Sequence, residues 1–268
     1  MTSNDVVCKL RKKLGIKKIG HTGTLDPLAI GVLPIAVGSC TRLIEYLDHD
    51  KKYIAKIKFG ETSTTYDEEG EKTFVKTPEF SELDLQNVIK NFRGKIKQKP
   101  PMYSAIKVGG KKLYEMARGG HEIEVPIRVV EIYEILIKEF SMPYVTLSVS
   151  CSKGTYIRSL AHDIGQELGC GAYLAELQRT KAGAFEIENS KKIEDEIEKI
   201  MPDTILPFDK YNLNDTEFER IKNGNPITVN VTQKDDYLFL IYNKKIVSFA
   251  KKSGNIIKVE KNFIGEMC

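Results

Sequence analysis

One aspartate in this 268-residue sequence sits in surroundings suited to chemistry. Asp26 closes the run Gly20-His21-Thr22-Gly23-Thr24-Leu25-Asp26-Pro27, which places a carboxylate between a glycine-rich turn and a proline. Pro27 keeps Asp26 out of helical conformation, so the carboxylate rides on a loop of restricted shape. Thr22 and Thr24 can hydrogen-bond within that loop. A carboxylate held in this way is a candidate nucleophile. The same run is also compatible with an Asx-turn, in which Asp26 does no more than cap its own backbone. Two other patterns carry less. Val108-Gly109-Gly110-Lys111-Lys112 lacks the spacing and the Lys-Ser/Thr ending of a phosphate loop. The five cysteines (Cys8, Cys40, Cys151, Cys170, Cys268) have no C-x-x-C spacing and no accompanying histidine cluster, so no zinc site is expected.

The elements that must position Asp26 follow from periodicity. Ser3 precedes Val6, Val7, Leu10 and Leu14 at helical spacing, and Gly15 ends that helix. Residues 20–43 read as loop and then an apolar run, too rich in Gly and Pro for a long helix. Tyr53, Ala55, Ile57 and Phe59 alternate with Lys52, Lys56 and Lys58, a half-buried strand with a basic outer face that Ile54 interrupts. Residues 62–70 read as a polar, acidic loop. Ser81 and Asp84 form a capping box for a helix carrying Leu85, Val88, Ile89 and Phe92 and ending at Gly94. Residues 127–140 and 144–151 pair as strands joined near Met142-Pro143. Ile157, Leu160, Ala161, Ile164 and Leu168 repeat as a helix that Gly169 stops. Leu174 and Leu177 suggest a second short helical stretch. After the charged stretch 190–200, with Pro202 and Pro207, strands at 237–242, 246–250 and 256–260 form a small meander. There Tyr237, Phe239 and Tyr242 read as core residues before stacking ones.

Several of these stretches together resemble the TruB family of pseudouridine synthases. GHTGTLDPLAIGVLP is similar to the family's catalytic motif, and KKYIAKIKFG to its tyrosine strand. PPMYSAIKVGGKKLYEMARGG resembles its RNA-contacting insertion, SCSKGTYIRSLAHDIG its arginine motif and GAYLAELQRTKAGAF its leucine motif, all in the family's order. The resemblance runs from residue 2 to about 210. It implies that Asp26 is the catalytic nucleophile and that His21 meets the RNA near the flipped base. It implies further that Tyr53 stacks on the target base, that Tyr156 lines the pocket, that Arg158 pairs with Asp26 and that Leu177 packs against the base. Members also carry a strand and a Lys-Pro-x-Gly stretch ahead of the position of Met1, so one sheet edge is expected to lack that strand here. Ile30 stands where the family often has Thr.

The chemistry suits those roles. Converting uridine to its C-glycoside breaks an N–C bond, turns the base and makes a C–C bond. A carboxylate starts this by adding to C6 of the ring or by attacking C1′ of the ribose, and in either case it must be ionised. An arginine beside it lowers its pKa and fixes its orientation. An aromatic platform holds the detached base, worth about 1–3 kcal/mol of stacking, and the base must first leave its helical stack. Taken singly, Tyr53 and Leu177 read as core residues, His21 as a loop histidine and Arg158 as a surface cation at an unfavourable helix start. Phosphate contacts are expected from Lys107, Lys111, Lys112 and Arg118 of the insertion at about 97–121, with Lys153 and Arg42 adding to them.

The expectation is therefore an α+β protein. A mixed, mostly antiparallel catalytic domain spans 1–205, and a small β-rich, PUA-like RNA-binding domain spans 206–268. The expected activity is isomerisation of uridine-55 in the T-loop of tRNA, and the partner is the tRNA T-stem-loop. The alternatives are a tRNA-folding chaperone with weak or lost catalysis and a guide-RNA-dependent relative, the latter disfavoured by the long insertion. A net charge of +4 and a pI near 8.6 are compatible with a polyanionic partner. No metal or organic cofactor and no protein partner are expected, and the chain is expected to be monomeric. The absence of an 18-residue apolar run and of a signal-peptide core, with the reducing-type cysteine usage, points to the cytoplasm.

Overall fold

A computed structural model describes residues 1–103, 107–108, 111–112, 125–229 and 236–264, with backbone only at 107–108 and 111–112. It is α+β with mostly antiparallel sheets, as expected. The chain divides into two compact units that interleave in sequence. A terminal unit comprises Met1–Thr24, Leu33–Leu47 and Lys191–Cys268, and a sheet unit comprises Leu25–Val32 and Asp48–Ser190.

The terminal unit begins with α1 (Ser3–Leu14). Thr2, not Ser3, is its N-cap: the Thr2 side chain accepts from the Asp5 amide while Asp5 bonds back to Thr2. Gly15 closes it at φ 68, as the sequence suggests. Val7 and Leu10 pack with Ile19 of β1 (Ile19–His21), which pairs antiparallel with β3 (Ile35–Val37). A 3-10 segment follows at Gly38–Tyr46. The rest of the unit is a five-stranded sheet, in the order β14 (Asp209–Asn212), β16 (Tyr237–Tyr242), β17 (Lys245–Ser253), β18 (Ile256–Asn262), β15 (Ile227–Thr228). The predicted meander is β16–β17–β18. Phe239 and Phe249 are fully buried in it, Tyr237 stacks on Phe249, and Tyr242 stacks on Phe218, so these aromatics are used internally. Two short helices, α4 (Pro202–Ile205) and α5 (Asp215–Lys222), complete the unit.

The sheet unit is built on a seven-stranded sheet. Its order is β13 (Phe185–Glu186), β12 (Ala172–Ala182), β4 (Lys51–Phe59), β11 (Tyr144–Cys151), β10 (Arg128–Ser141), β7 (Gly94–Gln98), and β2 (Ile30–Gly31) pairs in parallel with β12. β4 alternates without a break, with Ile54 half-buried on the opposite face from Tyr53, Ala55, Ile57 and Phe59. The residues of that inner face pack with α2 (Glu82–Lys90) and α3 (Ile157–Glu167) into one core. The Ser81 capping box forms, but α2 ends at Lys90, and Gly94 opens β7 at φ 80 instead of stopping the helix. The acidic loop is flanked by the paired strands β5 (Glu61–Ser63) and β6 (Lys72–Phe74), and β8 (Lys107–Val108) pairs with β9 (Lys111–Lys112).

The short helix expected around Leu174 and Leu177 is instead β12. A β-bulge between Leu174 and Glu176 adds one residue to the strand and so turns both leucines to the same face at helical spacing. Gly165 lets α3 approach the start of this strand. A Cβ there would lie 2.2 Å from the Ala172 nitrogen.

Candidate active site

The loop that carries Asp26 turns at Asp26-Pro27-Leu28-Ala29, where the Ala29 amide donates to the Asp26 carbonyl at 2.9 Å. Aspartate followed by proline suits the first two positions of such a turn. The carboxylate itself is engaged elsewhere. Arg158, only 5% exposed, donates from Nη2 to Asp26 Oδ1 at 3.0 Å, and its Nε lies 2.9 Å from Oδ2, an ion-pair contact without hydrogen-bond alignment. The planar guanidinium thus faces both carboxylate oxygens, a geometry lysine cannot reproduce.

Arg158 is the second residue of α3, where the helix dipole disfavours a cation. The group that offsets this lies in the acidic loop, with no motif of its own. Asp67, 2% exposed, accepts from Arg158 Nη1 at 3.0 Å. Nη1 and Nη2 also donate to the carbonyls of Thr65 (3.4 Å) and Tyr103 (3.1 Å). Asp67 is shaped by its own loop, accepting from Thr65 Oγ1 and from the Glu69 amide at 3.0 Å. Beside it, Tyr66 adopts a left-handed φ of 63 and stacks on His162, one turn beyond Arg158, with ring centres 4.0 Å apart. An αL tyrosine is strained, and its persistence here marks a loop held by its surroundings. The only sequence signal was an Asx-type pattern within a polar stretch that otherwise reads as solvent-facing.

The start of α3 is fixed by a second unanticipated residue. Gln98 at the end of β7 is buried; its Nε2 donates to the Tyr156 carbonyl at 3.0 Å, and its Oε1 accepts from the Tyr156 amide at 2.8 Å. Ser159 Oγ adds a bond to the Lys99 carbonyl at 2.8 Å. Tyr156, half-buried, and Arg158 are thus held in fixed relation to the sheet. Tyr53 (9% exposed) and Leu177 sit on β4 and β12 in one apolar cluster, with Leu28 and Ala29 of the Asp26 loop packed against it.

Electrostatics departs from the expectation in one respect. The ion pair with Arg158 is present, yet the pKa of Asp26 is raised: burial outweighs the pull of Arg158, and Asp67 adds like-charge repulsion. The carboxyl group therefore sits closer to neutrality than an exposed aspartate and is a stronger base when ionised. Burial pushes the Tyr53 phenol up to about 12, so it stays protonated. Of the remaining expected residues, His21 lies half-buried on β1 of the terminal unit, paired with Ile35. Arg42 donates to the Asn262 carbonyl at 2.6 Å and packs over Phe263, so it is used inside that unit. Lys153 is exposed on the turn before α3. The side chains of Lys107, Lys111 and Lys112, and all of Arg118, lie outside the described residues. No group of three or more potential metal ligands occurs among the described residues.

A carboxylate paired with a buried arginine, beside an apolar cluster that holds Tyr53 and Leu177, is compatible with a base-modifying site. Residues 11–157 match the model of the TruB family pseudouridylate synthase N-terminal domain, and residues 158–211 that of the tRNA pseudouridylate synthase B C-terminal domain. The chain belongs to the TruB family. Among curated TruB relatives, the tRNA pseudouridine synthase B of Carboxydothermus hydrogenoformans is 43% identical over 273 residues, covering 98% of this chain and 94% of that one. The enzyme of the same name from Clostridium tetani is 46% identical over 226 residues, 83% of this chain and 76% of the other. Among solved structures, a chain from a Cbf5-Nop10-Gar1 complex aligns with a TM-score of 0.66 at 26% identity, over 98% of this chain and 81% of its own. TruB family membership accounts for the motif order. No helix among the described residues is long and apolar enough to cross a membrane.

Proposed function

We propose that this chain is a tRNA pseudouridine synthase that isomerises uridine-55 of the T-loop, with Asp26 as nucleophile. The observation that carries the proposal is the Asp26–Arg158 pair, a carboxylate aligned by a buried guanidinium on a loop shaped by Pro27. Family membership supplies the substrate class.

The target base leaves its stack and enters against Tyr53 and Leu177. Asp26 attacks as the anion, at C6 or at C1′. The N–C glycosidic bond breaks, the base turns on the Tyr53 ring, and C5 joins C1′; the bond from Asp26 to the carbon it attacked breaks and returns the free carboxylate, C5 loses its proton and the former glycosidic nitrogen gains one. Arg158 holds the carboxylate's orientation throughout and stabilises its charge before attack. Tyr156 completes the pocket. His21 meets the RNA near the vacated base position, and Lys107, Lys111, Lys112 and Arg118 hold phosphates of the T-stem-loop. The chain acts as a monomer without a protein partner, in the cytoplasm.

The test is to incubate the protein with an unmodified tRNA transcript and map pseudouridine, alongside Asp26→Ala. Modification at position 55 by the wild type and none by the variant is expected. Binding by both without modification by either would overturn the catalytic reading.

A further inference from the structure

Arg179 is buried to 1% exposure and heads the largest fully buried side chains of the described residues, yet neither the motif nor the chemistry above uses it. Burying a guanidinium is costly unless its donors are well occupied. Its partners are informative. Arg179 Nε donates to the Val32 carbonyl at 2.7 Å, and the Val32 amide donates back to the Arg179 carbonyl at 2.9 Å. Gly31, at φ 109, lies against the same backbone so closely that a Cβ would fall 2.2 Å from the Arg179 carbonyl oxygen. The rear of the Asp26 loop is therefore fastened to β12 where β2 meets it, with Arg179 at the centre of that junction. Arg179 is also the cross-strand partner of Tyr53 on β4, which puts its guanidinium beside the Tyr53 phenol. Its charge reaches Asp26 as well.

We infer that Arg179 is a positioning residue that sets the nucleophile's loop and the plane of the Tyr53 ring from one guanidinium. Arg158 aligns the carboxylate from the front; Arg179 holds, from behind, the backbone that carries it and the aromatic platform it must work against. In this role Arg179 acts through the Val32 backbone and Tyr53. Its loss should act on the rate of the bond-making steps and leave tRNA affinity intact, because the residues proposed to hold phosphates are different ones. Lysine keeps the charge but cannot serve the Val32 carbonyl and the Tyr53 hydroxyl together. An ångström-scale misplacement of reacting groups costs about 100-fold in rate.

The inference rests on the pseudouridine synthase reading, and two arms keep the two apart. In the first, Arg179→Lys, Tyr53→Phe and the double variant are compared in single-turnover modification of a tRNA transcript, with tRNA Kd and Tm measured on each. Arg179→Lys is expected to slow the single-turnover rate about 100-fold with Kd unchanged. Tyr53→Phe should slow it less, and the double variant no more than Arg179→Lys alone, since the contact the two residues share is already gone. A wild-type rate in folded Arg179→Lys, or additive losses in the double variant, would overturn the inference. If Arg179→Lys does not fold, Tyr53→Phe decides alone: a slower rate at constant Kd supports the link, and an unchanged rate refutes it. The second arm needs no activity. Amide hydrogen exchange should accelerate in residues 25–32 of Arg179→Lys while β4 and β11 keep their protection. Unchanged exchange in 25–32 would refute the clamp even if the wild type modified no transcript. A wild type that modifies nothing while this exchange difference persists would instead count against the functional reading.

Discussion

At the scale of single residues, the site sets function against stability at Asp26. Its pKa is raised in the folded protein, so the folded state binds this proton more tightly than the unfolded chain does. The linked stability is fully present below the unfolded value and is lost as pH rises through the folded one. The ionised carboxylate that the proposed mechanism needs is thus the form that the fold favours less. Asp26→Asn should abolish pseudouridine formation while holding or raising Tm at pH 7, measured by calorimetry beside the transcript assay. A marked fall in Tm would show that the ion pair stabilises the fold on balance. The same shift predicts that the wild-type rate falls on acidification at a pH above the ordinary aspartate value of 3.8, in a single-turnover pH profile. Arg158→Lys should lose most of the activity and keep tRNA affinity, because a point charge cannot span both oxygens of Asp26 and also reach Asp67. Equal loss of binding would remove its pairing role. Asp67→Asn is expected to cost about 3 kcal/mol in urea unfolding, the lower end for breaking a buried ion pair, since Arg158 keeps its second carboxylate.

At the scale of elements, β2 is the sensitive piece. Gly31→Ala introduces a side chain at φ 109 and against a backbone oxygen, and should destabilise by at least about 2 kcal/mol. Ile30→Ala, one residue earlier and 63% exposed, should stay within about 0.5 kcal/mol. Denaturant melts of the two variants separate them. Elements of this kind divide into those that local pattern announces and those that it does not. β4 and α3 were legible because one face of each is buried and its period is regular, and β10 and β11 because they are long β-branched runs on either side of the Met142-Pro143 turn. The Ser81 cap was legible because its partner is three residues away. β12 was misread because its bulge gives a strand a helix-like spacing of leucines, and no local residue type announces a bulge. Asp26 and Arg158 were legible as motif residues, yet the direction of the Asp26 shift was not, since it depends on burial produced by segments distant in sequence. Asp67, Gln98 and Arg179 went unnoticed for the same reason. Each draws its meaning from partners on other elements: Arg158 for Asp67, the Tyr156 backbone for Gln98, Val32 and Tyr53 for Arg179.

At the scale of the whole molecule, 41 basic against 37 acidic residues leave a small positive excess, so affinity for tRNA depends on where the cations stand more than on their sum. If Lys111 and Lys112 hold phosphates, replacing both with alanine should weaken binding to all tRNAs alike. It should also flatten the plot of log K against log salt by about one to two, read by filter binding. A sequence-selective loss would contradict a phosphate role. The interleaving of the two units also sets an order of events on the ribosome. Once residue 190 has been made, every residue of the sheet unit exists, Asp26 and Arg158 included. The aromatic core of the terminal unit, where Leu43 meets Phe239, Phe249 and Phe263, must wait until residue 263 is made. Since compact units tend to fold as they are completed, the nascent chain can assemble its carboxylate–guanidinium pair before the unit holding Gly20, His21 and Thr22 has closed, so the two halves of one sequence motif mature at different times.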